Sequence, residues 1–217
     1  MKSLGFIEAH LPKRSELHIW RKLWHISTGI GALCLYTFVD VPVETWVYIC
    51  LTVALIGLVV DFVRLKVKAF NRFMLKVGGL IYRRNEAHSY SGLPFYALGI
   101  GLSLFFYEPR VAILSLWFLA FSDPISSYFG VKYGKDKLFP NKSLQGSAAG
   151  FCVCFFVTLF YCLYYGEPTI NVLYFSIVAG LIGSISEMFD FMADDNLTIP
   201  VISGAGLTVL NQILPLL

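Results

Sequence analysis

An all-α bundle of about seven transmembrane helices, with an amphipathic helix lying in the cytosolic interface, is the fold that this sequence predicts. Three observations lead there. The chain of 217 residues is 57% hydrophobic and only 14% charged, far from the balance of soluble domains. Apolar runs able to cross ~30 Å of hydrocarbon, which takes ~20 helical residues, recur at roughly 23–39, 45–63, 90–107, 110–129, 146–165, 170–190 and 198–216. Of the seventeen Lys and Arg residues, all but Arg110 fall in the N-terminal segment, the second connection or the fourth. The positive-inside rule then puts the N-terminus in the cytosol and the C-terminus on the opposite side. Little chain is left over, so residues 1–217 read as one integral membrane domain whose functional groups come from helix ends and loops. The net charge of +3 reports orientation and anionic lipids at the cytosolic face, and no nucleic acid. The first twenty residues lack the apolar core and cleavage site of a signal peptide. The five cysteines lie in apolar runs without companion histidines and read as small apolar filler.

The first span opens with Arg21, Lys22 and His25, and Arg21, His25 and Gly29 repeat every four residues on one helix face. Flank charges snorkelling beside interfacial Trp20 and Trp24 give an ordinary alternative reading. The second span, 45–63, is featureless. Residues 62–84 alternate apolar and basic side chains and predict one amphipathic helix in contact with lipid, ended or bent at Gly78 and Gly79. The polar segment 85–92 carries Glu86, either a solvated loop acid or a possible site residue. Residues 107–110 only reverse the chain.

The stretch 121–146 is the most informative. Asp123 breaks an apolar run, and Ser126, Ser127, Gly130 and Gly134 follow it at helical spacing, giving a flat face that leads away from the carboxylate as a groove. Lys135, Lys137 and Lys142, with Ser143 and Gly146, then offer ammonium and backbone donors suited to a polyphosphate. A surface aspartate with packing glycines and lipid-facing lysines accounts for the same pattern. The sixth span ends in Glu187, Asp190, Asp194, Asp195 and Asn196. If the helix persists, Glu187, Asp190 and Asp194 share a face, and like charges so placed need a cation or facing Arg and Lys. If it stops near Glu187, the rest is a solvated acidic loop.

The order Asp123, a small residue at 126, Gly130, Gly134 and a basic loop ending in Lys142, Ser143 and Gly146 resembles the signature of the dolichol kinase, phytol kinase and CTP-dependent diacylglycerol kinase family. The Arg-Lys-x-x-His order at 21–25 and the Asp-Asn run at 195–196 resemble its N- and C-terminal motifs, and Glu86 a weaker one. The family usually has Ala where Ser126 stands and Glu where Gln145 stands. The resemblance implies a kinase moving the γ-phosphoryl group of CTP to a membrane lipid alcohol such as polyprenol, diacylglycerol or phytol. It implies catalytic roles for Asp123, His25, Arg21 and Lys22, and a nucleotide site at Ser126, Gly130, Gly134, Lys135, Lys137, Lys142, Ser143 and Gly146. Mg²⁺ would be held among Asp123, Glu187, Asp190, Asp194, Asp195 and Asn196.

From the residues alone, one basic, one mixed and one acidic cluster on one membrane side suit phosphoryl transfer. No Walker A loop or protein-kinase signature is present. Two other readings stand beside it: a cytidylyltransferase making a CDP-lipid, and an ion-coupled carrier with Asp123, Glu187 and Asp190 along a midplane path. The acceptor's tail is not legible, and pairs such as Gly146 and Gly150 serve packing within or between chains, which leaves the oligomer open.

Overall fold

The computed structural model describes residues 4–13, 16–139, 142–166, 169–191 and 194–217, without the side chains of Leu4, Asp190 and Phe191. It is a helical bundle: α1 (Leu4–Ala9), α2 (Ile19–Phe38), α3 (Val43–Lys66), α4 (Lys68–Val77), α5 (Gly92–Phe106), α6 (Pro109–Trp117), α7 (Asp123–Tyr133), α8 (Leu144–Tyr165), α9 (Ile170–Ser186) and α10 (Asp195–Ile213). Among the described residues, four stretches are helical, long and apolar enough to cross a membrane: Val43–Lys66, Pro109–Tyr133, Leu144–Tyr165 and Ile170–Phe189. The chain is an integral membrane protein. The α5 helix is apolar but shorter, about 22 Å at the helical rise of ~1.5 Å per residue.

The Pro109–Tyr133 helix is the axis, with 61% of its apolar window buried against 17% for Val43–Lys66. It is one continuous helix in which residues Phe118–Ser122 form a π turn between α6 and α7. That turn packs against α2, α8, α9 and α10. Phe118, Leu119 and Ala120 are fully buried there, against a core that includes Phe175, Ala179, Ile199 and Leu207. Three hydroxyls inside the bundle return to their own helices: Thr158, Ser176 and Ser203 each donate to the carbonyl four residues back, so none of them needs a partner in hydrocarbon.

The second span and the segment after it depart from expectation. Residues 62–84 do not form one interfacial helix. The α3 helix continues to Lys66, Val67 is extended, and only α4 is a free-standing amphipathic helix, ended at Gly78. It is covered by α1, with Leu11, Leu75, Tyr82 and Ala87 as a small second core. Nor is the second span featureless, because its inner end carries a buried charge pair. Arg64, 0% exposed, donates from Nε to Asp61 Oδ1 at 2.5 Å. Its other nitrogens bond Asn71 Oδ1 at 3.2 Å and the carbonyls of Glu86 and Ser89 at 2.7 Å each. Asp61 Oδ2 accepts from Ser91 N at 2.6 Å and Ser91 Oγ at 2.9 Å. Desolvating a guanidinium and a carboxylate is costly unless they are paired and hydrogen-bonded, and here each Arg64 nitrogen and each Asp61 oxygen has a partner.

The acidic end of the sixth span also differs. The α9 helix stops at Ser186 and tightens into a 3₁₀ turn, Glu187–Phe191, so Glu187, Asp190 and Asp194 do not share one helical face. Asp194 instead caps α10, accepting from Asn196 N at 3.1 Å. The loop after α7 contains a short antiparallel hairpin, β1 (Lys137–Phe139) with β2 (Lys142–Ser143).

Arg64→Met is expected to destabilise the protein by about 3–5 kcal/mol, the scale for leaving one buried charge unpaired. Thermal melting in detergent should show Asp61→Leu/Arg64→Met recovering at least half of the loss. A double variant no more stable than Arg64→Met would argue against the pair.

Candidate active site

The π turn shapes the site. A widened turn leaves carbonyls without their usual partners, and Pro124, two residues past its end, has no N–H to offer. The carbonyl of Leu119 accepts from Nε2 of His25, on α2, at 2.9 Å. A carbonyl can only accept, so the bond assigns the ring proton to Nε2. Asp123 Oδ2 stands 3.9 Å from the same nitrogen, beyond hydrogen-bond reach. Tyr96 of α5 packs edge-on against the imidazole, with centroids 4.7 Å apart. One turn on, Gly29 lets α2 approach: a Cβ there would stand 2.6 Å from that of Ala120.

Arg21 and Lys22 lie one turn before His25. Arg21 Nη1 donates to Glu86 Oε2 and to the carbonyl of Ile81, both at 2.9 Å. Glu86, 3% exposed, also accepts from Arg83 N at 2.7 Å and Gly92 N at 3.1 Å. It is a buried anchor, not a solvated loop acid. Lys22 Nζ donates to Ser127 Oγ at 2.6 Å. The start of α10 closes the group from the other side. Asn196 Nδ2 reaches Asp194 Oδ1 at 2.6 Å and the Gly92 carbonyl at 3.3 Å. Asn196 Oδ1 and Thr198 Oγ1 are buried without a hydrogen-bond partner. The charge of Asp195 reaches Arg21, Lys22 and Arg83. Arg21, Lys22, His25, Arg83, Asp123 and Ser127 line a small cleft, and a second cleft, reaching Gly92, Tyr96 and Asn196, shares Arg21 and His25 with it.

Outside the spans, burial and then the neighbouring positive charge of Arg21 hold the Arg83 guanidinium below its ordinary value. Burial, followed by the charge of Asp195, pushes the Asp194 carboxyl well above the usual carboxylate range, against hydrogen bonds from Asn196.

Thus Arg21, Lys22, His25, Asp123, Asp194, Asp195, Asn196 and Glu86 meet at one end of the bundle, rather than along a midplane path. Glu187, 2% exposed, sits on the other flank of the π turn, where Ser122 Oγ donates to its Oε1 at 2.5 Å and the charge of Lys142 reaches it. The Asp190 side chain lies outside the described residues. Among the described residues no three carboxylate, His or Cys groups converge as a metal cage.

The small-residue face after Asp123 is not an open groove. A Cβ on Gly146 would stand 2.9 Å from the Ser126 carbonyl and 3.1 Å from Gly130 Cα, so the face receives the first turn of α8. Ser143 caps that helix, accepting from Gly146 N at 3.2 Å, and lies against Gly130 and Gly134. Gln145 fastens the loop: its Oε1 accepts from Lys135 N at 3.1 Å and its Nε2 donates to Asp136 Oδ2 at 2.6 Å. Lys135 and Lys137 are exposed. Sequence reasoning missed Arg83, Ser122, Ser127 and Tyr96 as partners of the site. Only Ser127 carried a signal, its place one helical turn beyond Asp123.

Compared with known proteins, the chain is 32% identical to CTP-dependent diacylglycerol kinase 1 of Saccharomyces cerevisiae, over 90% of this chain and 79% of that protein. It is 34% identical to the protein of the same name in Eremothecium gossypii, over 84% of this chain and 64% of that one. With that of Schizosaccharomyces pombe it shares 32% over 66% of this chain and 71% of the relative. No family model and no solved structure matches the chain.

The raised Asp194 carboxyl has a pH signature. Its folded-state value exceeds the ordinary 3.8, so it favours folding fully below that ordinary value, and the contribution is lost as pH rises through the raised one. Asp194→Asn keeps the cap acceptor without the charge. Its melting temperature should therefore fall less than that of the unaltered protein between pH 5 and 8; parallel profiles would contradict the assignment.

Proposed function

The chain belongs to the CTP-dependent lipid kinase family, and from that premise we propose that it phosphorylates diacylglycerol at the cytosolic face, using the cluster around Asp123. It is a membrane phosphotransferase with CTP as donor. The observation that carries the assignment of the site is the meeting of Arg21, Lys22 and His25 from α2, Asp123 from α7, and Asp195 and Asn196 from α10 beside one turn of helix. Diacylglycerol is the acceptor in the names of the relatives, and the hydroxyl of such a lipid lies at the depth of this helix end.

In the reaction the lipid hydroxyl oxygen bonds to the γ-phosphorus of CTP, the bond from that phosphorus to the β–γ bridging oxygen breaks, and CDP leaves. The hydroxyl proton passes to Asp123, the side chain with 14% exposure facing the cleft. His25 is fixed by Leu119 and holds its ring beside that carboxylate. Lys22, carried on Ser127, and Arg83 supply positive charge to the phosphates in a site of low dielectric. Arg21 is engaged with Glu86, so its part is to set the shape of the cleft and to offer its outer face to the nucleotide. Lys142, Lys135 and Lys137 bring further positive charge on the hairpin side.

The oxygen donors fit Mg²⁺, which takes one or two carboxylates and completes its shell with substrate phosphates. Asp195 and the unpartnered Oδ1 of Asn196 would hold it, with Asp123 nearby. When bound, it would neutralise the developing charge on the transferred group. Glu187 belongs to the frame of the π turn in this reading, braced by Ser122.

Asp123→Asn keeps the shape and removes the charge. Turnover of labelled CTP with diacylglycerol is expected to fall about a hundredfold or more, with little change in melting temperature; unchanged turnover in a folded variant would remove Asp123 from the mechanism. Orientation follows the basic loops: cysteines placed at 108 and 137 should label from opposite sides in intact cells, 137 from the cytosol, and labelling of both from the same side would overturn this topology.

A further inference from the structure

Beside the candidate active site runs an apolar groove with a cavity volume of about 690 Å³, formed by α2, the α6–α7 helix and α8. We propose that this groove holds one acyl chain of the lipid acceptor, and that the aromatic cluster at its far end limits the length of chain it takes. The proposal rests on the lipid-kinase reading, and three features of the groove support it.

Its near end lies at the same level of the central helix as the site. Phe121 and Ile125 line it there, two residues to either side of Asp123, so groove and cleft flank the same turn on different faces, and a lipid whose hydroxyl reaches Asp123 would pass round that turn to lay a chain in the groove. Its middle is built from rings: Trp117 stacks on Phe121 with centroids 5.3 Å apart and planes at 14°, a flat wall suited to an extended hydrocarbon. Its far end is braced. Tyr161 donates to the carbonyl of Arg110 at 3.0 Å, the Arg110 guanidinium lies 4.9 Å over the ring of Tyr165, and Tyr164 packs edge-on against Tyr165.

The dimensions suit a single chain. Residues 152–165 of α8 cover about 20 Å at ~1.5 Å per residue, a little more than one leaflet of a ~30 Å hydrocarbon core. An acyl chain of a membrane glycerolipid fills one leaflet and would lie in the groove for its whole length. Phe156 and Phe160 on the groove wall are 52% and 67% exposed, so the groove opens sideways and a second chain stays in the bilayer. A polyprenol many times longer would have to turn out past the tyrosines.

The test uses the full-length protein in mixed micelles with labelled CTP and diacylglycerols of eight-carbon or sixteen-carbon chains. Thr37, on the α2 wall at the far half, is replaced by Trp. The ratio of turnover on the short-chain to the long-chain acceptor should rise about tenfold, the scale of discrimination by filling an apolar pocket. Leu55→Trp, on the lipid-facing side of α3, should leave the ratio unchanged. In parallel, a diacylglycerol with a photoreactive diazirine at the end of one chain is cross-linked to the unaltered protein without CTP, and labelling should fall within residues 152–165. Labelling elsewhere, or a ratio unmoved in folded Thr37→Trp, overturns the groove assignment while normal transfer keeps the kinase reading. Absence of transfer to any acceptor, with labelling still in the groove, overturns the kinase reading and leaves the lipid site standing.

Discussion

The buried carboxylate of Glu86 is the constraint on which the arrangement depends. Sunk among helix ends, it has to be matched by donors, and it takes them from three places: Arg21 at the start of α2, the Arg83 amide, and the Gly92 amide at the start of α5. Its own carbonyl receives Arg64 from the inner end of α3. Three segments distant in sequence, at Arg21, Arg64 and 83–92, are thereby tied at one point, and alternatives that separate them leave a desolvated charge without a partner. His25 follows one turn after Arg21, so the same bond that neutralises Glu86 aims the imidazole at the π turn. The Arg21–Glu86 pair therefore also sets the geometry of the cleft.

The π turn completes that geometry from the opposite side. A regular helix through 118–122 would use the Leu119 carbonyl internally; the widened turn turns it to His25 and leaves Asp123 facing the cleft. On the other flank Ser122 meets Glu187, so the two acids are served by the same few residues yet stand in different surroundings. Asp123 keeps some solvent, as a group that exchanges protons or meets a nucleotide must, while Glu187 is sealed in. In the proposed reaction, this division of surroundings is the ground for assigning the proton to Asp123 and not to Glu187.

The main outline was legible because membrane burial leaves coarse marks. Apolar runs gave the helices, the spacing of Arg21, His25 and Gly29 gave a face of which His25 and Gly29 meet the central helix, and Asp123 stood out as the lone acid there, though nothing in the sequence announced the π turn before it. Asp61 and Arg64 were not legible: three apart in an apolar run, they look like ordinary flank residues until the 85–91 segment folds over them. Glu86 was ambiguous for the same reason, since its burial depends on partners up to 65 residues away. The small residues from Ser126 to Gly134 announced a close approach correctly but not what approaches, and the helix α8 fills the space that spacing alone leaves open to a ligand. The break after Ser186 was one of two readings left open, because Glu187, Asp190 and Asp194 also fit a helical period; the capped start of α10 at Asp194, which takes the place of a solvated loop, was not foreseen.

The central claim is that residues from α2, α7 and α10 act on one reaction centre. A double-mutant cycle on CTP-dependent transfer, with Asp123→Asn and Asp195→Asn singly and together, addresses it most directly. If both serve one centre, the double variant should be little worse than the more damaging single one, a coupling of about 1–3 kcal/mol between groups of one network. Losses that add to within about 0.5 kcal/mol would mean that the two acids work independently, and would contradict the convergence on which the account stands.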